Sequence, residues 1–173
     1  MKDIYIVLTY TGTIVSKIVK LYTRKKYSHI SIGLDKELNE LYSFGRINPN
    51  NPFRGGFVKE EINGGTFAKF KKTKAIVYSM KVKEEEVENI KSKIEEFKAN
   101  KDKYKFNLIG LFLVSINVKY QKENRYYCAE FAKLLLEENC ENIKLPNIIK
   151  PMDFLELDNL NFVYEGPISK YVY

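Results

Sequence analysis

Two residues carry the types and surroundings that nucleophilic chemistry requires, Cys128 and His29, and His29 is the single histidine of the chain. Cys128 opens the amphipathic stretch Tyr127-Cys128-Ala129-Glu130-Phe131-Ala132-Lys133-Leu134-Leu135-Leu136, in which Phe131, Leu134 and Leu135 recur at helical spacing. Ala129, Ala132, Lys133 and Leu136 are good helix formers, so the spacing predicts a helix that begins at the cysteine. A thiol in the first helical turn lies beside unpaired N–H groups and the positive end of the helix dipole. Both favour the thiolate, the nucleophilic form. The same N–H groups can hold an oxyanion when an acyl carbon is attacked there. Such a cysteine needs a base, and only His29 can be one of the ordinary kind.

The elements that must position this pair follow from alternation. In Tyr27-Ser28-His29-Ile30-Ser31-Ile32-Gly33-Leu34, Ile30, Ile32 and Leu34 point one way, and His29, Ser31 and Gly33 the other. This predicts a half-buried strand whose small, polar face carries the histidine at its start. Glu40 to Arg46 returns as a second strand, with Tyr42 and Phe44 toward the core and Leu41, Ser43 and Gly45 on the side of His29. One register sets Ser43 opposite His29, from where a hydroxyl could orient the imidazole, weakly beside a carboxylate or amide. Ser43 is thus the third candidate catalytic residue, and Tyr10, Tyr127 and Arg46 are the candidate substrate-binding residues. The plainer alternatives are a satisfied histidine at a strand edge and an inert, buried helix cysteine. Cys140 lacks any such setting and reads as structural. Glu130 reads as a structural contact or a cap at the helix start.

The remaining pattern supplies a scaffold. Residues 3–9 read as a buried strand, 13–23 as a helix, 75–82 as a third strand and 83–98 as a charged helix with a narrow apolar stripe at Val87, Ile90, Ile94 and Phe97. Asn48 to Phe57 is dense in Pro, Gly and Asn and reads as a loop, either a rim over the site or a plain excursion. Phe67 to Lys74 reads as a basic linker. Asn107 to Ile116, apolar nearly all round, reads as a buried helix, and 161–166 and 168–173 as closing strands. The 173 residues are 45% hydrophobic and 29% charged, which fits one globular domain and excludes collagen-like and disordered chains.

Charge and compartment exclude less. The formal net charge of +7, with clusters at Arg24-Lys25-Lys26 and Lys69 to Lys74, is consistent with nucleic acid or an anionic membrane. No recognition motif accompanies it, so a lysine-rich solvated surface explains it as well and no specific nucleic-acid partner is expected. The start of the chain reads as a strand rather than a secretory leader. The apolar run Leu108 to Val114 falls short of the ~20 residues that span a bilayer, so no transmembrane segment is expected. Cys128 and Cys140, twelve residues apart on one helix and its end, stand far beyond disulfide reach. They point to a reduced, cytoplasmic chain. One histidine and two separated cysteines do not make a ligand set, so neither a metal nor another cofactor is expected.

Taken together, Tyr27-Ser28-His29-Ile30-Ser31-Ile32-Gly33-Leu34, then Leu41-Tyr42-Ser43-Phe44-Gly45-Arg46, then Tyr126-Tyr127-Cys128-Ala129-Glu130-Phe131 at a helix start resemble the circularly permuted NlpC/P60 proteins. YiiX-type and lecithin:retinol acyltransferase-like proteins are relatives in which, as here, histidine precedes cysteine. Ile149-Lys150-Pro151 and Tyr164-Glu165-Gly166 also fall where such proteins have similar segments. The resemblance implies an α+β, permuted papain-like fold spanning residues 1–173 as a single domain, a small antiparallel sheet packed with helices. It further implies Cys128 as nucleophile, His29 as general base, and Ser43 at the third position, where members more often have His, Glu, Gln or Asn. The implied activity is cleavage or transfer of an amide, peptide or thioester acyl group, on a small-molecule, peptide or lipid substrate. A non-catalytic lipid- or peptide-binding module on the same fold is the alternative, and the oligomeric state is left open.

Overall fold

Residues 1–13, 16–17, 26–51 and 54–172 are described by a computed structural model. The architecture is α+β. Its centre is a six-stranded sheet of antiparallel pairs in the order β4-β3-β2-β1-β5-β8, formed by β1 (Lys2–Tyr10), β2 (His29–Gly33), β3 (Leu41–Arg46), β4 (Gly55–Glu60), β5 (Lys74–Val82) and β8 (Leu160–Pro167). A parallel pair of two-residue strands, β6 (Lys105–Phe106) and β7 (Arg125–Tyr126), stands apart from it. The helices are α1 (Gly65–Lys69), α2 (Glu84–Ala99), α3 (Leu108–Ser115) and α4 (Cys128–Asn139), with 3-10 turns at Pro151–Glu156 and Ile168–Lys170.

β1 is apolar without interruption from Ile4 to Leu8, where both of its faces are covered. Ile4, Ile6 and Leu8 join Ile30, Ile32, Tyr42 and Phe44 beneath α2 and α4, where Ile90, Ile94, Phe97, Phe131 and Leu135 complete the larger core. Tyr5, Val7, Leu41, Ala75 and Val77 form a smaller core on the other face, under Phe67, Ile168 and Tyr171. Phe44 is the hinge between sheet and cysteine helix. Its ring packs 5.2 Å from that of Phe131 and 5.3 Å from that of Tyr126, contacts each worth about 0.5–1.5 kcal/mol beyond area burial.

Several expectations are met within a residue or two: β1, β5, α2, and Tyr42 and Phe44 facing the core with Ile30 and Ile32. Others need correction. The face of His29, Ser31 and Gly33 is open only at the histidine, since Ser31, Gly33 and the neighbouring Ser43 are buried. Gly55 to Phe57 belongs to a strand, not a loop, because these residues pair in register with Arg46, Gly45 and Phe44 of β3. Within the supposed linker, Phe67 anchors the short helix α1. α3 is not buried all round: Ile109 and Phe112 are exposed while Leu111 and Val114 face the core. Ile168–Lys170 is a 3-10 turn rather than a strand. The helix expected at 13–23 lies outside the described residues except at Thr13, Ser16 and Lys17, as do Arg24 and Lys25 of the first basic cluster, Pro52 and Phe53 of the Pro-rich stretch, and Tyr173.

Candidate active site

Cys128 is the first residue of α4, delivered there by β7, and Tyr127 in extended conformation precedes it. The turn is fixed from two sides. Glu130 Oε2 accepts from the Tyr127 backbone N–H at 3.0 Å and from Asn107 Nδ2 at 3.2 Å. The Tyr127 hydroxyl donates to the Ile149 carbonyl at 2.9 Å. Burial raises the pKa of Glu130, while its hydrogen bonds work against that shift. As the first helical residues, Cys128 and Ala129 present N–H groups with no partner inside the helix.

His29 is held by a residue that motif reasoning did not find. Its Nε2 lies 2.9 Å from Oε1 of Glu60, the last residue of β4. Ser31 Oγ donates to the other oxygen of the same carboxylate. An ionised carboxylate only accepts, so Nε2 carries the proton and Nδ1 is left as the nitrogen that can exchange one. The side chains of His29 and Glu60 are 20% and 10% exposed, a mostly buried charge pair. Burial alone would lower the imidazole pKa. The charge of Glu60, with Cys128 next, outweighs it and raises His29 well above its ordinary 6.5. Burial would likewise raise Glu60, but His29 and then Ser31 hold it below the usual carboxylate range. The two directions agree, as they must for an ion pair.

Ser43 does not stand opposite His29. β2 and β3 pair only at Ile32–Tyr42 and Gly33–Leu41, so the ladder ends before the histidine is reached. Glu60 bonds His29 and Ser31, the part of β2 that β3 leaves unpaired. Ser43 lies beside the same carboxylate and favours its charge, yet its Oγ is buried and makes no hydrogen bond. Gly45 completes the arrangement by being small: a Cβ there would stand 3.3 Å from both Glu60 Oε1 and Ser43 Oγ.

Cys128, His29 and Glu60 line one pocket together with Arg46, Thr13, Ser28 and the apolar Phe44, Phe67, Phe106, Leu108 and Leu111. It encloses about 90 Å³, room for several waters or a short chain. Of the three candidate substrate-binding residues, Arg46 borders it. Tyr127 is buried with its hydroxyl committed to Ile149, and Tyr10 is half-buried at the end of β1, packed against the larger core; neither lines the pocket. Cys140 is a free, buried thiol whose pKa burial pushes up to about 12, and it stands at the other end of α4.

No protein-family model matches the chain, and no curated protein matches it in sequence. Among solved structures it is similar to the crystal structure of the metalloprotein YiiX from Escherichia coli O157:H7 (DUF1105). The TM-score is 0.56 at 15% identity, over 95% of this chain and 97% of that one. The metal in that description belongs to YiiX. Among the described residues here, no three His, Cys, Asp or Glu side chains are grouped to hold an ion. His29 and Glu60 are bonded to each other rather than aimed at a common point. The donor set does not fit a metal. The likeness, extending over nearly the whole of both chains, establishes that this chain has a YiiX-like fold.

Proposed function

We propose that the chain is a cysteine-dependent hydrolase or acyltransferase acting on an amide, peptide or thioester bond, built as a single permuted papain-like domain of the NlpC/P60 kind. The observation that carries the reading is one imidazole held by a buried carboxylate in the pocket that the helix-start thiol lines. In this reading Glu60 fixes the tautomer through Nε2–H, and Nδ1 takes the thiol proton. Sγ attacks the carbonyl carbon, and the N–H groups of Cys128 and Ala129 hold the oxyanion that forms. Collapse expels the amine or thiol, protonated by His29, and leaves a thioester on Cys128. Water or another acceptor, deprotonated by His29, then releases the acyl group. Both cysteines are free, which supports a reducing, intracellular setting. No helix among the described residues is long and apolar enough to cross a membrane.

The test is the pH dependence of Cys128 alkylation by iodoacetamide, with Cys140 replaced by alanine. Alkylation at pH 6–7 faster than that of a free thiol such as N-acetylcysteine, lost in His29→Ala, is expected. A slow, ordinary thiol indifferent to His29 defeats the reading and leaves a binding module with an apolar pocket.

A further inference from the structure

The proposed reaction does not use Arg46, yet this residue brings to the pocket a charge without an ion-pair partner among the described residues. It stands two residues beyond Phe44, whose ring packs on Phe131 just inside the cysteine helix. Its guanidinium donates from Nη2 to the Thr13 hydroxyl at 2.9 Å and lies over the Phe70 ring, 5.5 Å from the centroid. Both partners are neutral. Arg46 forms no ion pair among the described residues, and the remaining positions carry no acidic side chain. The pocket's own carboxylate, Glu60, is already engaged by His29 and Ser31. Thr13 also accepts from the Ser16 N–H, and its hydroxyl pairs with that of Thr11 at 3.3 Å. A threonine fixed in this way holds the guanidinium in place while leaving most of its five donors unused. An arginine held by a hydroxyl and a ring, in a pocket that also presents Phe44, Phe67, Phe106, Leu108 and Leu111, is preorganised for a planar anion joined to a carbon chain.

Resting on the hydrolase reading, we propose that Arg46 selects substrates bearing a free carboxylate a few bonds from the scissile carbonyl, bound in the same pocket as Cys128. The small volume places the carboxylate and the reacting carbon close together. The carboxylate matches the guanidinium fork with two parallel N–H···O bonds, and the apolar lining takes the carbon chain between them.

Iodoacetate and iodoacetamide test this directly, since both alkylate the thiol and differ in one anionic group. The rate ratio of iodoacetate to iodoacetamide at Cys128, in the Cys140→Ala chain, is expected to fall about tenfold or more in Arg46→Gln. An unchanged ratio overturns the proposal while leaving a reactive Cys128 and the hydrolase reading intact. Slow modification by both reagents, indifferent to His29→Ala, defeats that reading and this inference with it. Should Arg46→Gln fail to fold, the unsubstituted arginine decides. At fixed ionic strength, succinate is expected to protect Cys128 saturably from iodoacetamide, and absence of protection overturns the proposal. Protection by inorganic phosphate but not by succinate overturns the assignment to a carboxylate.

Discussion

Glu60 does for His29 what Ser43 was expected to do, and with far greater electrostatic effect. A serine hydroxyl can orient an imidazole but cannot stabilise its charge. The buried carboxylate does both, and it raises the pKa of His29 against the effect of burial. Glu60→Gln keeps the shape and removes the charge. With the charged partner gone, burial wins and the imidazole loses its proton at lower pH, so it holds the thiol's proton less well. Cys128 alkylation at pH 6–7 is expected to slow about tenfold or more, because a hydrogen bond to a charged group contributes about 1.5–3 kcal/mol. Rate–pH profiles of the two proteins that superimpose would sink the assignment. His29, Cys128 and Arg46 were legible because each announces itself locally: a helix start, an alternating strand, an arginine closing the next one. Glu60 was not. It sits two strands away from β2, paired in register with Leu41, and only its long side chain reaches the histidine. Register reasoning pairs neighbours and does not see such a reach.

The site depends on two helix starts tied together by one side chain. Asn107 caps α3, its Oδ1 accepting from Gly110 N–H at 2.9 Å. Its Nδ2 donates to the Tyr120 carbonyl at 3.0 Å and to Glu130, which in turn accepts from the residue before Cys128. Leu108 and Leu111 of α3 and Cys128 of α4 line the same pocket, so this buried amide fixes two of its walls relative to each other. Asn107→Ala removes a cap and strips a donor from the half-buried Glu130 carboxylate and from the Tyr120 carbonyl. A loss of about 2 kcal/mol is expected, read as a lower urea midpoint at unchanged slope. An unaltered midpoint would show that water replaces the amide without cost. At this scale the sequence was legible where the pattern was strong: the unbroken apolar run of β1 and the helical spacing of α2 and α4. It misled where neither a run bounded by turns nor a period marked the element. β4 begins Gly55-Gly56 and ends Lys59-Glu60, so no apolar alternation marks it, and pairing with β3 makes it a strand. α3 is apolar on all sides, so nothing in its pattern says which side meets the core.

Across the whole molecule, the His29–Glu60 pair is distinguished from the other ion pairs by burial. Lys26–Glu165 and Lys83–Glu141 join half-exposed side chains, where water and salt screen the attraction. His29 and Glu60 are bonded to each other in a site that both cores of the sheet surround, and their protonation is linked to folding. His29 has a raised pKa in the folded chain. Its contribution is therefore complete below its ordinary 6.5 and is lost as pH rises through the higher folded value. Glu60 has a lowered one, so its contribution is complete above 4.5 and is lost as pH falls through the folded value. The two windows overlap between pH 4.5 and 6.5. Desolvation can make a buried pair no better than an apolar replacement, so the sign of its net contribution does not follow from geometry. Its pH dependence does. The unfolding free energy of the native chain minus that of the double variant His29→Gln, Glu60→Gln should be greatest inside that window and fall on both sides. Urea denaturation at pH 4, 5.5 and 8 measures it. A difference that stays flat across the three would mean that the two groups titrate in the folded chain as they do in the unfolded one, and the charge pair at the centre of the proposed site would then be absent.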